Sequence, residues 1–285
     1  MGLRRSVLLL PPLLALALGG CTTESGAEPT RPVVDVVSGA AVLEATTETV
    51  LLPLDGYGPD AGGRQLIQRA ADLLIEDCVA RKGFEIDLVD VLDYPPSTQY
   101  DLNFFGVWTR ERALRTGLGI PYDALSEAHL AEDATVPSDA YEAILACPDG
   151  DDEDAASLEE SPSDSVLERG RTDSWGWAST DPVWEEALTA YRSCMEALGY
   201  TFDDSHTPYS PAIADAVDSE AGIRAALDQV DCLSTTGASQ TFVDVVAAYQ
   251  VVFIVENEAA LVAEKKESEE RVGLARRVIG EHGEG

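Results

Sequence analysis

A short motif that occurs twice is the strongest constraint on the fold of this chain. The segments Cys78–Phe84 and Cys194–Tyr200 both read Cys-x4-Gly-aromatic. A glycine and then an aromatic residue after an apolar stripe are typical of a Schellman helix ending, in which the glycine takes a left-handed conformation and the ring folds back on the last turn. The motif therefore predicts two capped helices, each with a cysteine in its last turns.

Apolar residues with helical spacing precede both motifs. They are Ile67, Ala71, Leu74 and Cys78 before the first ending, and Trp184, Leu188, Tyr191, Met195 and Leu198 before the second. Such stripes predict helices that pack on one face. Repetition of the whole unit indicates an internal duplication, although capped helices can also look alike without one. A partial third copy joins Cys232 to Gly237, with Ala238 where the aromatic residue would stand.

The N-terminus has the pattern of a bacterial export signal. A basic stretch at Met1–Arg5 precedes an apolar run at Ser6–Leu18, which closes with Gly19, Gly20 and Cys21. This ending resembles a lipobox, so we expect residues 1–20 to be a signal peptide and Cys21 to be the lipidated first residue of the mature protein. One alternative is an ordinary signal peptide with cleavage nearby. Another is a membrane-spanning helix, which is less favoured because the apolar run is short.

Four cysteines follow Cys21, namely Cys78, Cys147, Cys194 and Cys232. An even number of cysteines in an exported chain predicts disulfides, here two bonds with three possible pairings. We expect Cys78 to pair with Cys147 and Cys194 with Cys232, because each bond then closes within one copy of the repeated unit. In the chain-entropy model each bond contributes about 4 kcal/mol to stability. Reactive or metal-binding thiols are the competing interpretation, but the sequence has neither a Cys-x-x-Cys nor a paired-histidine motif.

The chain is strongly acidic. It has 52 Asp and Glu against 19 Lys and Arg, and a formal net charge of −33. A surface of that sign repels phosphate backbones and anionic lipid headgroups. We therefore expect no nucleic-acid partner, and attachment to a membrane through the lipid anchor alone.

These features predict a mainly α, disulfide-linked helical domain with a duplicated helical unit, a short N-terminal extended segment and a long C-terminal helix. A lipidated flexible tether over residues 21–32 leads to a first helical unit at 33–148, which begins with a Val-rich segment. An acidic linker at 149–180 precedes the second unit at 181–283, which ends in the long helix.

The one locally basic stretch before the final helix contains Arg110, Arg112 and Arg115. Three guanidinium groups close together suit an anionic ligand, so these residues are the candidate ligand-binding set. Pairing with neighbouring carboxylates is the other interpretation, and it is favoured in a chain as acidic as this one.

Acidic residues give two weak candidates for a cation site. A calcium-loop spacing relates Asp149, Asp151, Glu153, Ser157 and Glu160, but Asp154 stands where the sharp turn needs glycine. The other candidate is the trio Asp203, Asp204 and His206. We favour a solvated linker and a solvated loop instead, and expect neither metal nor cofactor.

The final helix should run from Ser239 to about Gly280, because no proline interrupts it. Beyond Ala263 its apolar positions thin among alternating charges, which predicts an exposed or coiled-coil-like arm. The segment Glu264–Arg277 holds five basic residues, Lys265, Lys266, Arg271, Arg276 and Arg277. If a partner binds this chain, we expect it to use this segment, whose basic residues suit an acidic partner; the alternative is that a mixed-charge helix is simply solvated.

The lipobox, the Leu-Pro-Leu-Asp sequence at residues 52–55, the repeated unit on both sides of the acidic linker and the long final helix resemble a group of secreted actinobacterial lipoproteins. The resemblance implies an envelope location, Cys21 as the lipid site and four structural cysteines, but no activity. The three histidines, His129, His206 and His282, stand in no recognised catalytic motif, so no catalytic residue is assigned.

We therefore expect a non-catalytic binding or accessory component of the cell envelope, lipid-anchored on the outer face of the cytoplasmic membrane. Its partner is left open between an envelope protein and a small ligand. Two alternatives remain, a secreted envelope hydrolase and a protein that binds an anion or a divalent cation.

Overall fold

The computed structural model of the chain describes residues 31–37, 40–96, 105–119, 123–147, 153–158, 164–202, 209–213 and 217–282. Within these ranges the elements are strands β1 (Val42–Glu44) and β2 (Thr49–Leu51) and helices α1 (Ala61–Arg81), α2 (Arg110–Thr116), α3 (Ala124–Asp133), α4 (Ser138–Leu145), α5 (Glu153–Leu158), α6 (Val166–Ala178), α7 (Pro182–Ala197), α8 (Glu220–Thr236) and α9 (Ala238–His282). Short 3₁₀ turns lie at Pro53–Tyr57 and Val91–Asp93. The predicted mainly α fold with a long C-terminal helix is confirmed.

The first half of α9 is the centre of the main hydrophobic core. Phe242, Val245, Val246 and Tyr249 are buried there among aromatic residues of α7 and the loops. Residues of this half recur at i, i+3, i+4 and i+7, which is the spacing of one helix face. The helix is kinked at Asn257, where φ is −122° and ψ is 16°, and the Asn257 side-chain amide donates a hydrogen bond to the carbonyl of Phe253 at 2.9 Å.

Helix α6 lies antiparallel to this half of α9, with Gly170 against Phe253 and Trp177 close to Tyr249. The prediction of a linker over residues 149–180 is therefore wrong for Val166–Ala178, because these residues form a packed helix. Its glycines and polar residues resemble a linker, but Gly170 has a packing role. A Cβ at that position would lie 2.5 Å from a ring carbon of Phe253, so glycine lets the two helices approach closely.

The second half of α9 packs on α1 instead of projecting as an arm. Leu274, Ala275 and Val278 are buried in a cluster with Ala70 and Leu158. The two helices run in the same direction, because residue 63 contacts residue 272 near the start of α1 and residue 77 contacts residue 282 near its end. Of the predicted exposed or coiled-coil-like arm, the exposed form is thus wrong, since three apolar residues within little more than one turn pack on α1.

Both Cys-x4-Gly-aromatic segments end their helices as predicted. The two glycines have φ of +94° and +95°. The N–H of Phe84 donates to the carbonyl of Val79, and that of Tyr200 to the carbonyl of Met195, each at 3.2 Å. These are the 6→1 hydrogen bonds that define the Schellman motif. One member of the predicted stripe differs, because Leu198 is 55% exposed.

The predicted disulfide pairing is confirmed. The Cys78–Cys147 bond joins α1 to the residues after α4, and its Cα atoms are 5.9 Å apart. The Cys194–Cys232 bond joins α7 to α8, with Cα atoms 5.7 Å apart. The second bond therefore links consecutive helices, whereas the first spans α2 and α3 and fastens the end of α1 to the residues after α4.

The predicted N-terminal extended segment is a hairpin attached to α9. Strands β1 and β2 pair antiparallel, with Val42 opposite Leu51. The backbone N–H of Ala41 donates to Asp244 and that of Leu54 to Gln250, both at 3.0 Å. Both acceptors are buried side chains of α9, so they satisfy backbone donors that the short ladder does not reach.

Candidate functional site

The three candidate ligand-binding arginines lie on α2, and a carboxylate of the hairpin reaches two of them. Arg112 is buried and Arg110 is exposed. The Arg115 guanidinium lies 2.9 Å from an oxygen of Glu48, whose other oxygen accepts a hydrogen bond from the hydroxyl of Thr109. The Glu48 carboxylate therefore pairs with Arg115, and its charge also acts on the neighbouring Arg112.

The position of Glu48 explains how this carboxylate reaches α2. Glu48 lies in the turn between β1 and β2 and has φ of +55°, a conformation that few residues other than glycine adopt. Burial lowers the pKa of Arg112, while the charge of Glu48 opposes this effect. The Glu48 carboxylate therefore compensates the buried charge of Arg112. This is the carboxylate pairing that the sequence favoured, although Glu48 lies 64 positions before Arg112 in the chain.

A polar network at the centre of the fold connects α7, α8 and the segment before α2. The side-chain amide of Gln229 donates to the hydroxyl of Tyr191 at 2.8 Å and to the carbonyl of Tyr209 at 2.5 Å. The Gln229 oxygen accepts from the backbone N–H of Val107 at 3.1 Å. Burial raises the pKa of Tyr191, so its hydroxyl stays protonated and donates to the carbonyl of Tyr209. Because every described member has a partner, the network holds α7, α8 and the segments of Val107 and Tyr209 in fixed positions relative to one another.

The guanidinium group of Arg31, the first described residue, makes three hydrogen bonds. Its Nε donates to the Tyr249 hydroxyl at 2.6 Å, one Nη to Asp181 at 2.6 Å and the other to the carbonyl of Thr180 at 3.1 Å. The guanidinium carbon also lies 5.5 Å from the centre of the Tyr249 ring. Three nitrogens thus meet three separate acceptors beside an aromatic face.

The acceptors of Arg31 are held by the fold as well as by the arginine. One oxygen of Asp181 caps the N-terminus of α7 by accepting from Val183 at 2.8 Å. The other accepts from the hydroxyl of Tyr249 at 2.8 Å. Burial, and then the hydrogen bond to Asp181, raise the pKa of Tyr249, which keeps its hydroxyl protonated as that donor. We call Thr180, Asp181 and Tyr249 the arginine pocket.

A cluster of carboxylates consists of Asp72 and Glu76 of α1 and Glu132 of α3. Asp72 is 7% exposed and accepts a hydrogen bond from Gln68 at 2.7 Å. Burial raises the pKa of Asp72 to about 6, and the charges of Glu132 and Glu76 add to this effect while Gln68 and Arg69 oppose it. Among the described residues, no three His, Cys, Asp or Glu side chains are placed to hold a metal ion. The cluster is thus a site where ionisation costs free energy.

We predict that Asp72→Asn stabilises the protein at alkaline pH. The pKa of Asp72 is raised on folding, so its contribution to stability is complete below its unfolded pKa and is lost as the pH rises through about 6. The rise in the pKa of Asp72 from 3.8 to about 6 corresponds to about 3 kcal/mol. Urea unfolding should show that gain at pH 8 and almost none near pH 4. Glu142→Gln, at an exposed position of α4, is the control, and an equal gain at both pH values would contradict the prediction.

A surface cleft of about 410 Å³ lies between α5 and the second half of α9. Its lining carries Asp154, Glu267 and Glu270 beside Arg271 and Arg277. Two of the five basic residues expected to meet an acidic partner therefore face a cleft that also carries carboxylates. The remaining three, Lys265, Lys266 and Arg276, are exposed.

The other candidate residues lie apart from one another or outside the described residues. Glu153 and Ser157 of the calcium spacing belong to α5, and the rest of that set lies outside the described residues, as do Cys21 and the trio at residues 203, 204 and 206. His129 is exposed on α3. His282 contacts Asp77 at 3.0 Å and the carbonyl of Val278 at 2.8 Å, so it fastens the end of α9 to α1.

Comparisons with protein-family models, curated proteins and solved structures find no match for this chain.

The arginine pocket and the Gln229 network were not predicted. Asp181 before Pro182 has the pattern of a helix N-cap, which is a detectable signal for one member of the pocket. Nothing in the local sequence indicates that Tyr249 and Arg31 meet at that carboxylate. These contacts join residues 68 to 218 positions apart, and only the packing of α6, α7 and α9 brings them together.

Proposed function

We propose that this protein is a lipid-anchored component of the bacterial cell envelope that acts by binding and not by catalysis. The signal-like N-terminus directs the chain out of the cytoplasm, Cys21 carries the lipid, and the helical domain stands on the outer face of the cytoplasmic membrane. The domain serves as an accessory or binding module for an envelope partner.

The observation that carries the proposal is how the cysteines are used. The sequence has five, and two disulfides account for four of them. Structural disulfides persist in oxidising compartments outside the cytoplasm. The remaining cysteine is Cys21, at the end of the apolar N-terminal run, where an export pathway would place its lipid.

The electrostatics of the described residues favour the binding proposal over a hydrolase only by how the shifted groups are used. Four groups with a raised or lowered pKa, Asp72, Arg112, Tyr191 and Tyr249, each have hydrogen-bond or ionic partners within the fold. The interactions of Arg112, Tyr191 and Tyr249 join different elements of the fold, and that of Asp72 with Gln68 lies within α1. A hydrolase would instead need a nucleophile, a base and a stabiliser of the oxyanion around one cleft.

One helix, α9, is long and apolar enough by composition to cross a membrane, and 44% of its most apolar window is buried in the fold. A core helix of a soluble domain passes the same test. The burial of Phe242, Val246 and Tyr249 on this helix supports its role in the core, and leaves the proposed anchor to Cys21.

We predict that Cys21→Ala moves the protein from the membrane fraction to the soluble fraction of cells that express the full chain. The variant loses the thiol to which the diacylglyceryl group would be attached, and the acidic domain has no affinity for anionic headgroups. The measurements are fractionation after a carbonate wash and incorporation of a labelled fatty acid.

Gly19→Ala is the matched control, because it keeps a small residue near the cleavage site and leaves the cysteine in place. This control should remain membrane-bound and labelled. If Cys21→Ala stays in washed membranes, the anchor assignment is wrong.

A further inference from the structure

Residues 31–37 form an extended segment laid across the core, which we call the strap. Its residues alternate in exposure, and Val34 and Val36 pack against the main core cluster while Val33 is 98% exposed. The alternation is that of an extended chain with one face on a surface. The strap belongs to no β-ladder, since the ladder of the described chain joins β1 to β2.

The strap is held mainly by the side chain at its first residue. Arg31 fills the arginine pocket with three hydrogen bonds, and two partly buried valines follow at the third and fifth positions after it. An element with few buried contacts and without ladder hydrogen bonds is among the first to open in a folded protein. The strap is therefore attached in the way a bound peptide is attached.

The pocket beneath Arg31 is formed by the fold itself. Asp181 is fixed as the N-cap of α7, and Tyr249 donates to it from α9. A guanidinium offers Nε and two Nη groups in one plane, which matches a hydroxyl, a carboxylate and a carbonyl in three directions. A lysine ammonium group is a compact charge on a flexible stem and does not reproduce that planar arrangement, so the geometry is selective for arginine.

We propose that the strap site is an exchangeable peptide-binding site, and that the strap is its internal occupant. The external ligand is an extended segment of a partner protein in which an arginine is followed at the third and fifth positions by aliphatic side chains. The arginine enters the pocket formed by Thr180, Asp181 and Tyr249, and the aliphatic residues take the places of Val34 and Val36.

Charge favours a partner of another kind over a second copy of this chain. The protein carries a formal net charge of −33, so two copies repel each other, whereas a cationic segment is attracted to the same surface. The internal strap competes at an effective concentration in the millimolar range that is typical of short linkers. Release of the strap should therefore raise the apparent affinity for an external peptide.

The test uses a fluorescent peptide with the strap sequence Arg-Pro-Val-Val-Asp-Val-Val and the detergent-solubilised full chain, with binding followed by anisotropy. We expect Arg31→Ala, which empties the pocket, to bind this peptide at least about tenfold more tightly than the unaltered chain. Peptides with Lys or Ala in place of the arginine should bind at least about tenfold more weakly than the arginine peptide. Adding Asp181→Asn, which keeps the cap oxygen and removes the charge, should abolish the preference for arginine over alanine.

Equal binding of the arginine and alanine peptides, or no gain from Arg31→Ala, would overturn the proposal. A strap-exchanged dimer of the unaltered chain, detected by gel filtration and lost in Arg31→Ala, would overturn the assignment to a different partner. Hydrogen exchange on the unaltered chain is independent of any folding defect in the variants. The amides of residues 33–37 should exchange much faster than those of the first half of α9, and equal protection would show that the strap is a permanent part of the core.

Discussion

Replacing Cys194 and Cys232 together by alanine is expected to lower the free energy of unfolding by about 4 kcal/mol. The bond closes a loop of 38 residues and so restricts the unfolded chain. It also ties α7 to α8 beside the buried Trp184 and Leu233, in the cluster that contains the largest aromatic side chains. A loss of that size is a large part of the net stability of an ordinary domain.

Urea unfolding with and without a thiol reductant measures this effect. The unaltered protein should lose stability in reductant, and the double variant should lose only the part that belongs to Cys78–Cys147. Replacement of Cys78 and Cys147 by alanine is the matched comparison, since that bond closes 69 residues in a smaller cluster. If both double variants lose less than about 1 kcal/mol of unfolding free energy, the disulfides form in an already stable fold and do not stabilise it.

Features encoded within a few residues were predictable from the sequence. The glycine and aromatic ring after each cysteine define how α1 and α7 end, because the left-handed conformation and the backbone bonds of the last turn depend on local residues alone. The disulfide pairing followed from the same repeat. Neither prediction required any knowledge of how the helices pack.

Features that depend on packing between distant elements were not predictable. Gly170 resembles a linker residue until Phe253 is placed against it, and Arg112 resembles a ligand site until Glu48 is brought beside it by the hairpin turn. The same reason explains the distal half of α9. Its apolar residues are sparse, but α1 presents a complementary apolar face formed by Leu66, Ile67, Ala70 and Leu74.

Truncation after Ala263 is expected to destabilise the protein strongly. It removes Leu274, Ala275 and Val278 and leaves the apolar face of α1, including Ala70, in water. A large-to-small change at Leu274 alone should cost about 2–5 kcal/mol, and the truncation should cost more because it removes every contact of this half of α9. A chain of this size loses roughly 2–4 °C of melting temperature per kcal/mol, so a fall of about 10 °C or more is expected in a thermal melt.

Because the distal half of α9 packs in the core, truncation alone is not a test of the predicted docking role of Glu264–Arg277. A truncated chain that loses a partner has also lost part of its core, so the two causes cannot be separated. Lys265→Gln combined with Lys266→Gln alters exposed residues that face away from α1, and it should leave the melting temperature unchanged. If this variant keeps its stability and loses a partner that the unaltered chain retains from envelope extract, docking resides in the outward charges. If the truncation leaves the melting temperature unchanged, the packing on α1 contributes little and the distal half of α9 is the free arm that its sparse apolar pattern suggests.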